Sequence, residues 1–128
     1  MITFITILVV HFLADFVFQS SKMATGKSKS LKWLSIHVVT YALVSFITFL
    51  FIFTNYGDLS FALSWWLINI ALHFVVDLIT SKITSKFWEE KNMRLFFVMI
   101  GLDQLIHNLC LIITFFWLKE TQLLSVQA

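Results

Sequence analysis

The chain has 128 residues, of which 59% are hydrophobic, 17% aromatic and only 12% charged. Its mean hydropathy is +0.90, whereas soluble domains carry roughly 25% charged residues. This composition excludes an ordinary soluble domain and predicts a single transmembrane domain over residues 1–128. The formal net charge of +2 comes from loop residues that determine topology, so no nucleic-acid partner is expected.

Four apolar segments are long enough to cross a bilayer, which takes about 17 to 25 residues. In chain order, the predicted helices cover residues 2–20, 33–54, 61–81 and 95–118, with connecting loops at 21–32 and 82–94. The chain has no proline and only three glycines, so we expect straight, unbroken helices. The predicted fold is an all-α, integral membrane four-helix bundle.

The basic residues predict the orientation of this bundle. Eight of the nine Lys and Arg residues lie in the predicted loops 21–32 and 82–94. By the positive-inside rule both loops are cytoplasmic, which places the N- and C-termini outside. Since every Lys and Arg lies outside the apolar segments, no basic residue is expected to pair with a buried carboxylate.

Three carboxylates nevertheless lie inside the apolar segments, each four residues from a histidine. The pairs are His11/Asp15, His73/Asp77 and Asp103/His107. Four residues are about one helical turn, so each pair projects from one helix face. A carboxylate at this depth costs roughly 2.5 to 3.5 kcal/mol on insertion scales. A bound cation is the expected reason for this arrangement.

Two imidazoles and two carboxylates make a four-coordinate, charge-balanced set that suits Zn²⁺ and admits Mn²⁺, Fe²⁺ or Co²⁺. The expected metal ligands are His11, Asp15, His73 and Asp77, from the first and third helices. The competing interpretation is structural, because such pairs can hydrogen-bond to each other and join helices.

Three further residues complete the predicted metal-binding set. Asp103, His107 and the lone His37 of the second helix could supply a second metal, an outer ligand shell or acid–base groups. His37 could also be a packed contact between helices, since Tyr41 follows it one turn later.

The sequence also repeats itself. His-Phe-Leu-Ala-Asp at residues 11–15, followed by Ser-Ser-Lys at 20–22, is echoed by His-Phe-Val-Val-Asp at 73–77 and Thr-Ser-Lys at 80–82. The bundle is therefore predicted to consist of two tandem helical hairpins of the same orientation, related by a pseudo-twofold axis along the membrane normal.

The polar pattern resembles a family of small bacterial membrane proteins known as domain of unknown function 3307. The pattern consists of His-x3-Asp-x3-Gln in the first helix, a lone His in the second, His-x3-Asp with Thr-Ser in the third, and Asp-Gln-x2-His in the fourth. The matching positions are His11, Asp15, Gln19, His37, His73, Asp77, Thr80, Ser81, Asp103, Gln104 and His107. The resemblance implies a bacterial cytoplasmic (inner) membrane and no particular activity.

Among possible functions, a zinc-dependent hydrolase that acts on a lipid or lipid-linked ester, amide or phosphoester is favoured. The predicted site lies about 6 to 14 Å below the cytoplasmic surface, where membrane lipids can reach it. Catalytic roles fall to Asp103, or another Asp that binds no metal, as proton acceptor, with His107 beside it. Ser81 and Thr80 would bind the substrate through their hydroxyls. The ligand types are similar to those of alkaline ceramidases, which are intramembrane lipid hydrolases.

Two alternatives remain open. A proton-coupled divalent metal transporter would use the same residues, in a ligand pattern similar to that of cation diffusion facilitators, and would need a homodimer to form a pathway. A scaffold or sensor would use the His/Asp cluster structurally. No nucleotide is expected: Gly26-Lys27-Ser28 resembles the end of a phosphate-binding loop, but residue 21 is Ser rather than Gly and no strand precedes it.

Overall fold

The computed structural model describes the backbone of residues 1–127 and the side chains of residues 1–124. Within that part, the chain forms five α-helices, one π-helical turn and no strand. The helices are α1 (Ile2–Phe12), α2 (Ser21–Gly26), α3 (Leu31–Tyr56), α4 (Leu59–Glu89) and α5 (Met93–Gln127), and the π turn (Leu13–Val17) directly follows α1. The predicted all-α class is confirmed, with one α-helix more than the four expected.

Three of the helices, α3, α4 and α5, are long and apolar enough to cross a membrane, whereas the apolar stretch Ile2–Val17 is shorter. α4 has 31 residues and is therefore about 46 Å long, which exceeds the roughly 30 Å apolar core of a bilayer. The predicted loop 82–94 is wrong over most of its length, because residues 82–89 contain no glycine or proline and continue the helix.

The turns at both ends of α4 are short and have clear local causes. α3 ends at Gly57, whose φ of 70° is a left-handed conformation that glycine adopts without a steric penalty. Asp58 then caps α4, since its Oδ1 accepts the Phe61 N–H at 2.8 Å. At the other end, Lys91 takes the left-handed conformation, with φ of 56°. α3, α4 and α5 consequently run antiparallel to their neighbours in sequence.

The predicted loop 21–32 contains helix α2, which packs against α3. Ser20 caps this helix by accepting the Met23 N–H at 3.3 Å. Gly26 lies so close to the Trp33 ring that a Cβ atom at this position would be 2.7 Å from Trp33 Cγ. Only a residue without a side chain fits there, and the contact fixes α2 on the start of α3.

The remaining packing separates an apolar end from a polar one. α4 lies against both α3 and α5, and α1 with the π turn packs on α3. The far end, at the Gly57 turn, is filled by a cluster of large side chains that we call the far-end core: Ile7, Phe49, Ile52, Phe61, Ala62, Trp65, Leu111 and Phe115. The opposite or basic end carries Lys22, Lys27, Lys29, Lys32, Lys82, Lys86, Lys91 and Arg94.

The first and third predicted helices differ in their backbone, although their sequences repeat. The expectation of unbroken helices is wrong for the first one, where α1 gives way to the π turn at Leu13. α4, by contrast, stays α-helical through His73 and Asp77. The pseudo-twofold axis stays a prediction.

Candidate metal centre

Four buried side chains from three elements meet between the far-end core and the basic end. Asp15 comes from the π turn, His37 from α3, and His73 and Asp77 from α4. Each is at most 2% exposed. One ligand atom from each residue lies within 4.8 Å of the others, so the four, which we call the tetrad, could hold a metal ion.

The spacing of the tetrad atoms fits a tetrahedral metal site. His37 Nε2 lies 3.1 Å from Asp15 Oδ1, 2.9 Å from Asp77 Oδ2 and 3.1 Å from His73 Nε2. His73 Nε2 is 3.7 Å from Asp15 Oδ1 and 3.3 Å from Asp77 Oδ2. In a tetrahedral zinc site with metal–ligand distances of 2.0 to 2.1 Å, neighbouring ligand atoms are about 3.3 Å apart. The observed distances lie on both sides of that value.

These close contacts are not hydrogen bonds between carboxylate and imidazole. Asp15 Oδ1 and Asp77 Oδ2 are buried and have no hydrogen-bond partner among the described residues, even though imidazole nitrogens lie within reach. Buried polar atoms are normally satisfied, so these two oxygens are candidates to share a cation.

The second oxygen of each tetrad carboxylate accepts a hydrogen bond from a residue outside the tetrad. Gln104 Nε2 on α5 donates to Asp15 Oδ2 at 2.5 Å, and Lys27 Nζ donates to Asp77 Oδ1 at 2.7 Å. Metal-ligating carboxylates are commonly oriented by such outer hydrogen bonds. The tetrad thus has part of the supporting shell that a metal centre needs.

Ring packing orients the imidazole of His73. The Tyr41 ring stacks on it with centroids 3.8 Å apart and an interplanar angle of 6°. The Nδ1 atoms of His37 and His73 have no hydrogen-bond partner within the described part of the chain. Stacking, rather than an outer hydrogen bond, therefore fixes this ring plane.

The ion pair of Lys27 with Asp77 contradicts the expectation that no basic residue reaches a buried carboxylate. The side chain of Lys27 is 12% exposed and that of Asp77 is fully buried. Lys27 directly follows α2, and its aliphatic stem spans the distance from this surface helix to the tetrad. The apolar-segment boundaries could not reveal the contact, because the loop folds back onto α3. In the sequence, the Gly26-Lys27 dipeptide resembles only the end of a nucleotide-binding loop, so it gives no sign of this ion pair.

The charges of the site can be balanced by one divalent cation. With every imidazole neutral, Asp15, Asp77 and Asp103 contribute three negative charges and Lys27 contributes one positive charge. The resulting net charge of −2 in an apolar surrounding is costly without compensation. A single divalent ion would make the site neutral, and protonation of two imidazoles would do so equally.

Asp103 and His107 form a second group beside the tetrad. Asp103 Oδ1 lies 3.5 Å from His107 Nε2 and 2.5 Å from the Thr80 hydroxyl that donates to it. Gln104 Nε2 also donates to Asp103 Oδ2, at 3.2 Å. Asp103, His107 and the tetrad residue Asp15 have ligand atoms within 4.8 Å of one another. The structure therefore places an oriented carboxylate next to the tetrad.

His11 lies beside the tetrad rather than in it. Its ring centroid is 5.4 Å from that of His107 and 6.1 Å from that of His73, and neither ring nitrogen has a hydrogen-bond partner among the described residues. The structure groups His37, not His11, with Asp15, His73 and Asp77. His11 lies in the regular helix α1, whereas Asp15 lies in the π turn that follows it.

The predicted substrate-binding residue Ser81 has a less defined position. It is 8% exposed, and its hydroxyl has no hydrogen-bond partner in the described part of the chain. Its neighbour Thr80 makes the contact with Asp103 instead. The role of Ser81 stays a prediction.

Three helices able to cross a membrane and a buried His/Asp cluster place this chain among helical membrane proteins with a candidate metal centre. A family model described as Protein of unknown function (DUF3307) matches residues 3–128. The chain belongs to this family, as the resemblance of its polar pattern predicted. No curated protein and no solved structure matches the chain, so its function must be inferred from the site.

Proposed function

We propose that this protein is a membrane-embedded, metal-dependent hydrolase that acts on a lipid or lipid-linked substrate. In this proposal Asp15, His37, His73 and Asp77 hold a divalent ion, with Zn²⁺ favoured by the mixed nitrogen and oxygen ligands and by the tetrahedral spacing. The observation that carries the proposal is the partly exposed carboxylate of Asp103 beside a complete ligand set. The proposal assigns this additional carboxylate the role of proton acceptor rather than that of a ligand to a second metal.

The chemistry follows from the positions of the residues. A zinc ion held by the tetrad would act as a Lewis acid that activates water and polarises the bond to be cleaved. Asp103 would accept a proton from the attacking water and return it to the leaving oxygen. Thr80 and Gln104 orient this carboxylate through their hydrogen bonds at 2.5 and 3.2 Å.

A proton-coupled metal transporter is the second candidate, because all four tetrad ligands come from the protein and could release an ion as cargo. The far-end core weighs against it, because large side chains such as Phe49, Phe61 and Phe115 pack together at that end. A small cavity, lined by residues that include His11 and Asn69, lies between the tetrad and these side chains.

The finer membrane arrangement is part of the proposal. The basic end would face the cytoplasm, with both termini outside, because basic residues are retained on that side. α1 with the π turn, α3, α4 and α5 would form a four-helix bundle of two related hairpins in a bacterial inner membrane. The tetrad would then open toward the cytoplasmic leaflet.

The test compares zinc content with lipid turnover in the full-length protein. Zinc-loaded wild type is incubated in mixed micelles with labelled bacterial phospholipids, and products are separated by mass spectrometry. Asp103→Asn should lower turnover by about 100-fold or more with unchanged zinc content. Glu120→Gln, which removes an exposed carboxylate on α5, serves as the matched control and should retain turnover.

Three other outcomes would contradict the hydrolase proposal. Zinc flux into proteoliposomes without lipid turnover would establish the transporter, whereas bound zinc with neither activity would indicate a structural centre. A wild-type protein that folds without binding any divalent metal would overturn all metal-dependent functions.

A further inference from the structure

Lys27 supplies a positive charge to the tetrad from outside the spanning helices. Its Nζ atom lies 2.7 Å from Asp77 Oδ1, and no other ammonium or guanidinium group in the described part of the chain pairs with a tetrad residue. An ammonium carries three N–H donors, and Asp77 Oδ1 uses one of them. The other donors are available to a ligand that enters from the basic end.

Lys27 and Asp103 are more exposed than the tetrad residues that they contact or adjoin. The tetrad residues are at most 2% exposed, whereas the side chains of Lys27 and Asp103 are 12% and 13% exposed. A substrate that approaches the tetrad from the Lys27 side therefore meets an ammonium first.

The position of Lys27 depends on a weakly anchored helix. α2 has no buried residue, so few apolar contacts hold it in place. Its close approach to α3 is made by Gly26 against the Trp33 ring, and the Lys27–Asp77 ion pair lies one residue further on. Segments with little burial open at low free-energy cost, so α2 can move to admit a large ligand.

We propose that Lys27 binds a phosphate group of the substrate, and that the bond cleaved is the phosphoester of an anionic lipid. This inference rests on the proposed hydrolase function and narrows its substrate class. Lysine is a common phosphate ligand, and negative charge that develops on phosphate oxygens during hydrolysis is stabilised by a fixed ammonium. A neutral ester or amide presents no such charge.

The surroundings of Lys27 favour the same substrate class. Seven further basic residues lie at the basic end, against the two acidic residues Glu89 and Glu90. Basic clusters beside membrane helices attract anionic lipids at about 1 kcal/mol per residue. Anionic lipids are thereby concentrated at the end of the molecule where Lys27 reaches the tetrad.

The proposed reaction consumes one water molecule. The water oxygen forms a bond to phosphorus, and the bond between phosphorus and the oxygen of the lipid alcohol breaks. One proton of the water passes through Asp103 to the alcohol oxygen, and the phosphate leaves with the other. No oxidant, reductant or second substrate is needed.

Binding of a lipid phosphonate tests the inference without turnover, because its carbon–phosphorus bond is not hydrolysed. Zinc-loaded full-length protein in detergent is titrated with hexadecylphosphonic acid, with hexadecanol as the uncharged lipid of equal chain length, and with inorganic phosphate. We expect the phosphonate to bind at least tenfold more tightly than hexadecanol. Lys27→Met should remove most of that difference, whereas the exposed Lys29→Met should change the dissociation constant by less than twofold.

Competition by inorganic phosphate shows whether the site binds the phosphate of a lipid or free phosphate. Weak competition by inorganic phosphate would show that the site needs the lipid chain as well, and competition at equal concentration would show that free phosphate suffices. Lys27→Arg, which keeps the charge, should retain phosphonate binding within about threefold and guards against a general folding defect.

Two results would overturn the inference while leaving the hydrolase proposal intact. One is equal phosphonate binding by wild type and Lys27→Met at equal zinc content. The other is loss of zinc in Lys27→Met, because Lys27 would then be a counter-charge to the metal ligands. Turnover that depends on Asp103 would remain the separate criterion for the hydrolase itself.

Discussion

The Nε2 atoms of His37 and His73 lie 3.1 Å apart, in a space that also receives one oxygen each from Asp15 and Asp77. Two imidazole nitrogens at this distance need either a shared proton or a common cation. A hydrogen bond between two neutral imidazoles accounts for this distance alone, whereas a divalent cation would also account for the two carboxylate oxygens and would balance their charge. His37 thereby lies at the centre of the candidate metal site.

The exchange of His11 for His37 can be tested by metal content. His37→Ala should lose the stoichiometric zinc of the purified protein, because it removes the nitrogen that lies nearest to both carboxylates. His11→Ala, an equally buried histidine beside the tetrad, should retain it. Inductively coupled plasma mass spectrometry of both variants decides the matter, and the reverse pattern would restore the ligand set expected from the sequence.

Zinc should stabilise the folded protein. A ligand present at 100 times its dissociation constant adds about 2.7 kcal/mol to the free energy of unfolding, so chelation should lower the thermal midpoint of the wild type by several degrees. His37→Ala should show no change on addition of zinc. A similar shift in both proteins, followed by tryptophan fluorescence, would mean that zinc binds elsewhere.

Gly26 and Gly101 offer a matched pair for testing the attachment of α2. Alanine at position 26 would place a Cβ atom 2.7 Å from the Trp33 ring, whereas position 101 has no atom within 4 Å of the corresponding Cβ. Overpacking of this kind costs about 1 to 3 kcal/mol. Gly26→Ala should therefore detach α2 and speed tryptic cleavage after Lys27, and Gly101→Ala should be cleaved at the wild-type rate.

The cleavage assay also has a clear contrary outcome. Equal cleavage rates for Gly26→Ala and Gly101→Ala would show that the Gly26–Trp33 contact does not hold α2 in place. The Lys27–Asp77 ion pair at 2.7 Å would then be its main attachment.

Thr80 should matter for turnover but not for metal binding. Its hydroxyl donates to Asp103 Oδ1 at 2.5 Å, and a hydrogen bond to a charged group contributes about 1.5 to 3 kcal/mol. If this bond orients the proton acceptor, Thr80→Val should lower lipid turnover by roughly 10- to 100-fold at constant zinc content.

Thr84→Val is the control for this prediction, because the Thr84 hydroxyl bonds to the Thr80 carbonyl of its own helix. It should leave lipid turnover unchanged. Loss of zinc in Thr80→Val would instead show that Thr80 supports the tetrad itself.

The sequence patterns predicted neither helix α2 nor the π turn. The apolar segments predicted the spanning helices, because burial in hydrocarbon requires long runs of apolar residues. The six residues of α2 contain no long apolar run that would predict a helix. This helix is instead stabilised by the Ser20 cap and by the close contact of Gly26 with Trp33. The π turn likewise has no residue composition that distinguishes it from the α-helix before it.

The sequence by itself determined the class of protein, the family and the residue types of the site. The hydropathy of a segment depends only on its own residues, so it predicts a spanning helix without any knowledge of packing. The three His/Asp pairs can likewise be recognised from their spacing, whatever the arrangement of the helices. The tertiary structure decided which of these residues meet. His37 rather than His11 lies with Asp15, His73 and Asp77, and Lys27 reaches Asp77, because both outcomes depend on how the helices pack and on the return of a loop. Those are long-range contacts, and local spacing does not encode them.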